Sequence, residues 1–255
     1  MSNYVFDNSI IQSNQKSGNR KFKYVTEEII DSQNVDDKSP VKYTRPVIEN
    51  TKYGKLVDNN IVAYHLYNSF NYSLFLPNNS KALKCGFGIT SPNHGEGKTT
   101  TACNFAAALS LGSNRKTVLI DLNLSNPKIH EIFGMSLGPG LSDALLGEDI
   151  FVTPTQIENL SIVTAGFTKI IPTQKLISFN EIAGSLFNKF EFIIVDMPSL
   201  ESRKFPTLIA NQLNGLIVVV EARKTKRRDV DRIFRQINEK NILGFVINKI
   251  NDEDF

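Results

Sequence analysis

Between an apolar run and a stretch of small residues, Ser91 to Thr101 read SPNHGEGKTTT. These are the residue types of a phosphate cradle. Gly95 and Gly97 free the backbone so that successive N–H groups can curl around a phosphate, and a helix starting just after them adds its positive end. Lys98 can reach the β- and γ-phosphates of a bound nucleotide, and Thr99 can offer its hydroxyl to Mg²⁺. His94, Glu96 and Thr100 complete the segment that would wrap the ligand. One feature departs from the general pattern: Pro92 stands where the first glycine is wanted.

Two carboxylates extend the constellation. Asp121 closes the apolar run TVLID and Asp196 closes FIIVD. In a doubly wound sheet the C-terminal ends of the strands converge on the ligand crevice, so both aspartates are expected to face the glycine loop despite their separation in sequence. A carboxylate there can hold the Mg²⁺ of Mg·ATP, directly or through water, or accept a proton from an attacking hydroxyl.

These residues need a frame, and the pattern of elements supplies one. ALKCGFGIT reads as a strand ending at the loop, and KTTTACNFAAALSLG as a helix whose small residues allow close packing on a sheet. KTVLIDLN, LSIVTAG, EFIIVDMP, GLIVVVEA and ILGFVINKI are further strand candidates, mostly unbroken Val/Ile/Leu runs. LSDALLGED, with Ser142 as its cap, PTQKLISFNEIAGSLFNKF, FPTLIANQL and KRRDVDRIFRQINEK read as the intervening helices. Alternating strands and helices with continuous apolar strands predict an α/β fold: a doubly wound, mostly parallel sheet of the P-loop NTPase kind, covered on both faces. Residues 1–58, rich in Asn, Ser, Lys and Asp without sustained apolar period, are expected to form a flexible N-terminal arm. Residues 59–255 form the P-loop domain, opening with an amphipathic helix over NNIVAYHLYNSFNYSLF.

Composition narrows the function classes. With 29 basic and 26 acidic residues in 255, the formal charge of +3 demands no polyanion, so nucleic-acid binding is not expected. Cys85 and Cys103 are the sole cysteines and form no CxxC pair, so they read as reduced core thiols rather than as a disulfide framework or zinc site. No apolar stretch approaches the roughly 20 residues of a membrane helix, and the N-terminus lacks a secretion signal. The chain is therefore expected in the cytoplasm, with any membrane link made through a partner. The basic run from Arg223 to Arg232 is either a solvated helix face or a contact for an acidic partner, a membrane surface or a second subunit.

From about residue 83 to 250 the sequence resembles the cytoplasmic domain of bacterial tyrosine kinases of the polysaccharide co-polymerase system, in the ParA/MinD branch of P-loop proteins. ITSPNHGEGKTTTACNFA, VLIDLNLSNPKIHEIFG, PGLSDALLGE, FEFIIVDMPSL and VINKI carry the resemblance. That family commonly lacks the first loop glycine, which accounts for Pro92; His94 stands where it often has proline. The resemblance implies that Lys98 binds phosphate and Thr99 binds Mg²⁺. It makes Asp121 the first acid of the second Walker-type motif and a candidate base, Asp196 the Walker B carboxylate, and Asn248 an adenine contact. It also implies ATP/ADP and Mg²⁺ as cofactors and a membrane-embedded polysaccharide co-polymerase as partner, with self-association as a further possibility.

Several positions depart from the family pattern. Where Asp-x-Asp-x-Arg is usual, this chain has Asp121-Leu-Asn123-Leu-Ser125, losing a carboxylate and a cation. Val62, His65 and Asn68 replace the charges with which the family's domain helix assembles rings, while Tyr64 is retained. No tyrosine follows Tyr72, so an autophosphorylation target would lie in the N-terminal region, where Tyr43 and Tyr53 sit. Asn93 occupies the place of the lysine that reaches across the nucleotide-sandwich dimer of the partition ATPases. The leading expectation is an ATP-binding protein of the bacterial tyrosine-kinase type, acting in exopolysaccharide or capsule production as a kinase, slow ATPase or nucleotide switch. A catalytically degenerate adaptor and a ParA/MinD-type positioning ATPase are the alternatives.

Overall fold

The computed structural model describes residues 8–11, 22–27, 85–113, 115–202 and 205–249. The expected helix over 59–75, its Tyr64, and Tyr43 and Tyr53 lie outside the described residues, as does the boundary drawn at residue 58. The strands are β1 (Asn8–Ile11), β2 (Phe22–Glu27), β3 (Cys85–Thr90), β4 (Thr117–Asp121), β5 (Ile150–Pro154), β6 (Leu160–Val163), β7 (Phe192–Asp196), β8 (Gly215–Glu221) and β9 (Ile242–Asn248). The principal helices are α1 (Lys98–Ser113), α2 (Ile129–Ile132), α3 (Leu141–Leu146), α4 (Thr173–Leu176), α5 (Phe179–Leu186), α6 (Thr207–Ala210) and α7 (Arg227–Gln236).

One sheet runs in the order β1-β2-β5-β6-β4-β7-β3-β8-β9. From β6 to β9 every neighbouring pair is parallel. β5 returns antiparallel to β6, and at that edge β2 pairs parallel to β5 and β1 antiparallel to β2. Within the stretch expected as a flexible arm, these two short strands are what the structure describes.

The unbroken apolar runs are explained by alternation, since successive side chains of a strand serve opposite faces. Val118 and Ile120, Ile193 and Val195, and Leu216 and Val218 point to one core, shared with Leu141 and Leu145 of α3, Phe179 and Ile182 of α5 and Ile233 of α7. Leu119, Phe192, Ile194, Ile217 and Val219 point to the other, where Ala102, Phe105, Ala106 and Leu109 of α1 pack. The small residues let α1 sink against the sheet, and Ala102, Ala106 and Ala107 have no exposed surface. Gly88 of β3 is required by the same crowding: a Cβ there would lie 2.5 Å from Leu216 Cδ2 and 2.7 Å from Met197 Sδ.

Two helix expectations are corrected. Ser142 is not the cap of α3; the N-cap is Gly140, whose N–H donates to the Asp143 carboxylate at 2.7 Å. Ser142 lies inside the helix, and its hydroxyl accepts from the Thr168 N–H. The single helix expected over 172–190 is two, because the backbone tightens to i−3 bonds from Ser178 to Lys175 and from Asn180 to Ile177.

Candidate functional site

The glycine loop runs between β3 and α1, and Gly95 and Gly97 take φ values of +79° and +93°. Those left-handed conformations are why glycine stands at both positions. At Gly97 there is a second reason: a Cβ would sit 2.0 Å from Asn248 Nδ2. Lys98 opens α1 and is buried, Thr99 is half-buried, and Thr100 and His94 are exposed.

β7 lies between β4 and β3, which places Asp196 in register with Asp121 on one side and with Ile89, just before the loop, on the other. The two aspartates named from sequence are thus adjacent, and both are fully buried. Their environments differ. Asp196 Oδ2 accepts from the Thr99 hydroxyl at 2.7 Å, while its Oδ1 is buried with no partner. Asp121 is engaged on both oxygens: Oδ1 accepts from the Asn123 N–H at 3.1 Å, and Oδ2 from the N–H groups of Lys128 and Ile129 at 3.0 and 3.1 Å.

Electrostatics follow burial. Removal from water, reinforced by the Asp121 charge, pushes the Asp196 carboxyl up to about 8, against the opposing pull of Lys98 and the Thr99 hydrogen bond. Burial also raises Asp121, which its three backbone donors counteract. The Cys103 thiol is driven well above its ordinary value by burial and by both carboxylates, so it is the inert core thiol that composition suggests.

An unpartnered buried carboxylate oxygen beside a threonine hydroxyl, with a lysine charge nearby, suits a divalent cation that also touches a phosphate. Asp196 and Thr99 could hold Mg²⁺, and Lys98 could meet the phosphates. Asp121 has no oxygen free of backbone donors. The Asn123 amide nitrogen donates to the Asn126 carbonyl at 3.0 Å, which ties the side chain to its own loop.

The surroundings of the loop were not legible from sequence. On one flank the segment after β7 is tied down by Leu200 N–H to the Ser91 carbonyl and Glu201 N–H to the Pro92 carbonyl. Glu201 accepts from the His94 N–H at 2.6 Å, and the His94 ring meets Ser199 Oγ at 3.2 Å. On the other flank Glu96, 2% exposed, turns its carboxylate away from the cradle. It accepts from the Asn93 N–H at 2.8 Å, the Asn93 amide at 3.1 Å and the Thr225 hydroxyl at 2.6 Å. Arg232 Nη2 donates to Asp229 at 2.6 Å and reaches Asn93 Oδ1 at 3.4 Å. The basic run is therefore of two kinds: Thr225 and Arg232 turn inward to the loop, while Arg223, Lys224, Lys226, Arg227 and Arg228 are exposed. Asn248 ends β9 with its amide donating to the Glu96 carbonyl at 2.9 Å.

Comparison with known proteins agrees with this geometry. Residues 87–254 match the CobQ/CobB/MinD/ParA nucleotide binding domain, and the chain belongs to that family of P-loop proteins. Within the family it is of the bacterial tyrosine-kinase type. It is 32% identical over 173 residues to the tyrosine-protein kinase CpsD of Streptococcus agalactiae serotype III (strain NEM316), covering 64% of this chain and 74% of that one. The crystal structure of the VpsO kinase domain is 28% identical with a TM-score of 0.64, over 74% of this chain and 95% of that one. The chimerical protein CapA2B2 shares the fold with a TM-score of 0.67 at 24% identity, over 75% of this chain and 86% of that one.

Proposed function

We propose that this chain binds Mg·ATP at the Gly95–Thr100 loop and acts as a tyrosine-kinase-type ATPase domain in exopolysaccharide or capsule production. One observation carries the reading: Thr99 and Asp196 meet at 2.7 Å, with a second carboxylate oxygen left buried and bare beside the glycine loop. In this reading Lys98 binds the β- and γ-phosphates, Thr99 and Asp196 hold the cation, and the loop N–H groups wrap the phosphate. Bound Mg²⁺ supplies neutralisation of charge on the transferring phosphoryl group. In this reading the setting is polysaccharide production, with a membrane-embedded co-polymerase as partner. No helix among the described residues is long and apolar enough to cross a membrane, which fits recruitment through such a partner.

The test is titration calorimetry with Mg·ADP, followed by phosphotyrosine detection after incubation with Mg·ATP. Binding by the wild type and its loss in Lys98→Ala support the site; no heat from the wild type sinks it. A second reading, a nucleotide switch that passes no phosphate on, is favoured by one observation. Asp121 accepts from its own loop on both oxygens, and the Asn123 amide nitrogen is bonded within that loop as well. Binding without phosphotyrosine and without ATP turnover selects it.

A further inference from the structure

The backbone of the phosphate loop is gripped from the end of β9. Lys249 Nζ donates to the Gly95 carbonyl at 2.8 Å, and Asn248 Nδ2 donates to the Glu96 carbonyl at 2.9 Å. A trans peptide is planar, with its C=O and N–H on opposite sides. Drawing the Gly95 and Glu96 carbonyls toward β9 therefore turns the N–H groups of Glu96 and Gly97 away from β9, toward the side on which a phosphate is cradled.

The grip is itself braced. Asn248 pairs with Glu221 across β8 and β9, and its carbonyl accepts from the Ala222 N–H at 2.9 Å. The Lys249 ammonium also meets Glu221 Oε2 at 2.9 Å. Lys249 has φ of +58°, a left-handed conformation that a lysine adopts at a cost and that surrounding structure must enforce. The enforced turn is what brings its side chain back over the loop. Asn248 is packed so close to Gly97 that a Cβ there would displace its amide.

We propose that Asn248 and Lys249 are positioning residues of the phosphate loop, which fix the Gly95 and Glu96 peptide planes so that the loop N–H groups face the phosphates of any nucleotide. The inference rests on the nucleotide reading and goes beyond it. It assigns Lys249 a role, and it gives Asn248 one that does not depend on the base. An adenine contact at Asn248 predicts weaker ADP binding but unchanged binding of a phosphate chain lacking a base. Positioning predicts that both weaken together.

The experiment is calorimetry on the full chain with Mg·ADP and with Mg·tripolyphosphate. A charge-assisted bond and a neutral one are lost in Lys249→Met and Asn248→Ala, so the expected losses are about tenfold and about fivefold, equal for the two ligands. Lys249→Arg restores most of the affinity, and the melting temperatures of the ligand-free variants stay close to that of the wild type. Variants that bind tripolyphosphate as the wild type does overturn the proposal while leaving the nucleotide reading intact. So does a loss that tracks the melting temperature and is not rescued by arginine. A wild type that binds neither ligand overturns the nucleotide reading, and this inference with it.

Discussion

Two loops at the same end of the sheet are built on opposite principles. The glycine loop is held from outside: Glu96, Asn93 and the Gly95 and Glu96 carbonyls are taken by Thr225, Arg232, Lys249 and Asn248. Its inner side is left for a ligand. The segment from Asp121 to Glu131 is held from inside, with Asp121 accepting three of its own N–H groups, Asn123 bonding Asn126 and Lys128 pairing with Glu131 at 2.8 Å. A carboxylate that braces a loop and one suited to a metal can both close a strand, and position at a strand end does not separate the two. Partner count does: Asp196 has a bare oxygen and Asp121 has none.

The comparison breaks most visibly at Lys98. Lys98→Ala is expected to weaken Mg·ADP binding about a hundredfold or more, since charge-assisted contacts to phosphate are lost outright. Gly97→Ala comes next, because both its φ of +93° and the contact with Asn248 oppose a side chain. About a thirtyfold loss of affinity is expected, with destabilisation of about 1–2 kcal/mol measurable by urea unfolding.

Asp196 sharpens the contrast through pH. Its carboxyl titrates near 8 in the fold and at its ordinary 3.8 when unfolded. The folded state therefore binds the extra proton. The ligand-free protein keeps this stability in full below about pH 4 and loses it progressively as pH rises toward 8. Its melting temperature should fall between pH 5 and 8 by roughly several degrees and recover on adding Mg·ADP. Asp196→Asn should flatten that profile, raise the melting point at pH 8 and reduce Mg²⁺-dependent affinity about tenfold. A profile that stays steep in the variant would place the titrating group elsewhere.

Asp121→Asn is the reciprocal test. It weakens the acceptor for the Lys128 and Ile129 N–H groups but also removes a buried charge that burial disfavours and that repels Asp196. The two effects offset, so stability should change by less than about 2 kcal/mol, while Mg·ADP affinity changes less than about threefold. Abolished Mg²⁺ dependence in this variant, with stability intact, would make Asp121 the metal ligand and erase the difference between the two loops.

What the sequence disclosed and what it hid divide along chain separation. Strands, α1 and the loop were legible because each signal is local: a glycine spacing, an apolar run, a carboxylate closing it. The meeting of Asp121 with Asp196 followed from fold class, since parallel strands end together. The bonds from Thr225 to Glu96, from Asn248 to Glu96 and from Lys249 to Gly95 span 129, 152 and 154 residues, and no spacing rule reaches them. Ser142 misled because a hydroxyl near a helix start reads as a cap, whereas here the Asp143 carboxylate bonds the Gly140 N–H and leaves the hydroxyl to Thr168. The fate of Asn123 was equally hidden, for an amide that could face a metal can also close its own turn.

The smallest expected effect tests whether the outer grip reaches the ligand at all. The Thr225 hydroxyl accepts from the Glu221 N–H at 2.8 Å and donates to Glu96 at 2.6 Å, linking the end of β8 to the loop through one oxygen. Thr225→Val keeps the shape and removes that oxygen, leaving Glu96 Oε1 with the Asn93 amide as its donor. The buried carboxylate would then relax toward water and carry the loop with it. Mg·ADP affinity should fall about threefold, consistent with a net hydrogen-bond contribution near 1 kcal/mol, and Thr225→Ser should restore it. If only the melting temperature falls, the link between β8 and Glu96 serves the fold, and the outer grip on the glycine loop narrows to Asn248 and Lys249.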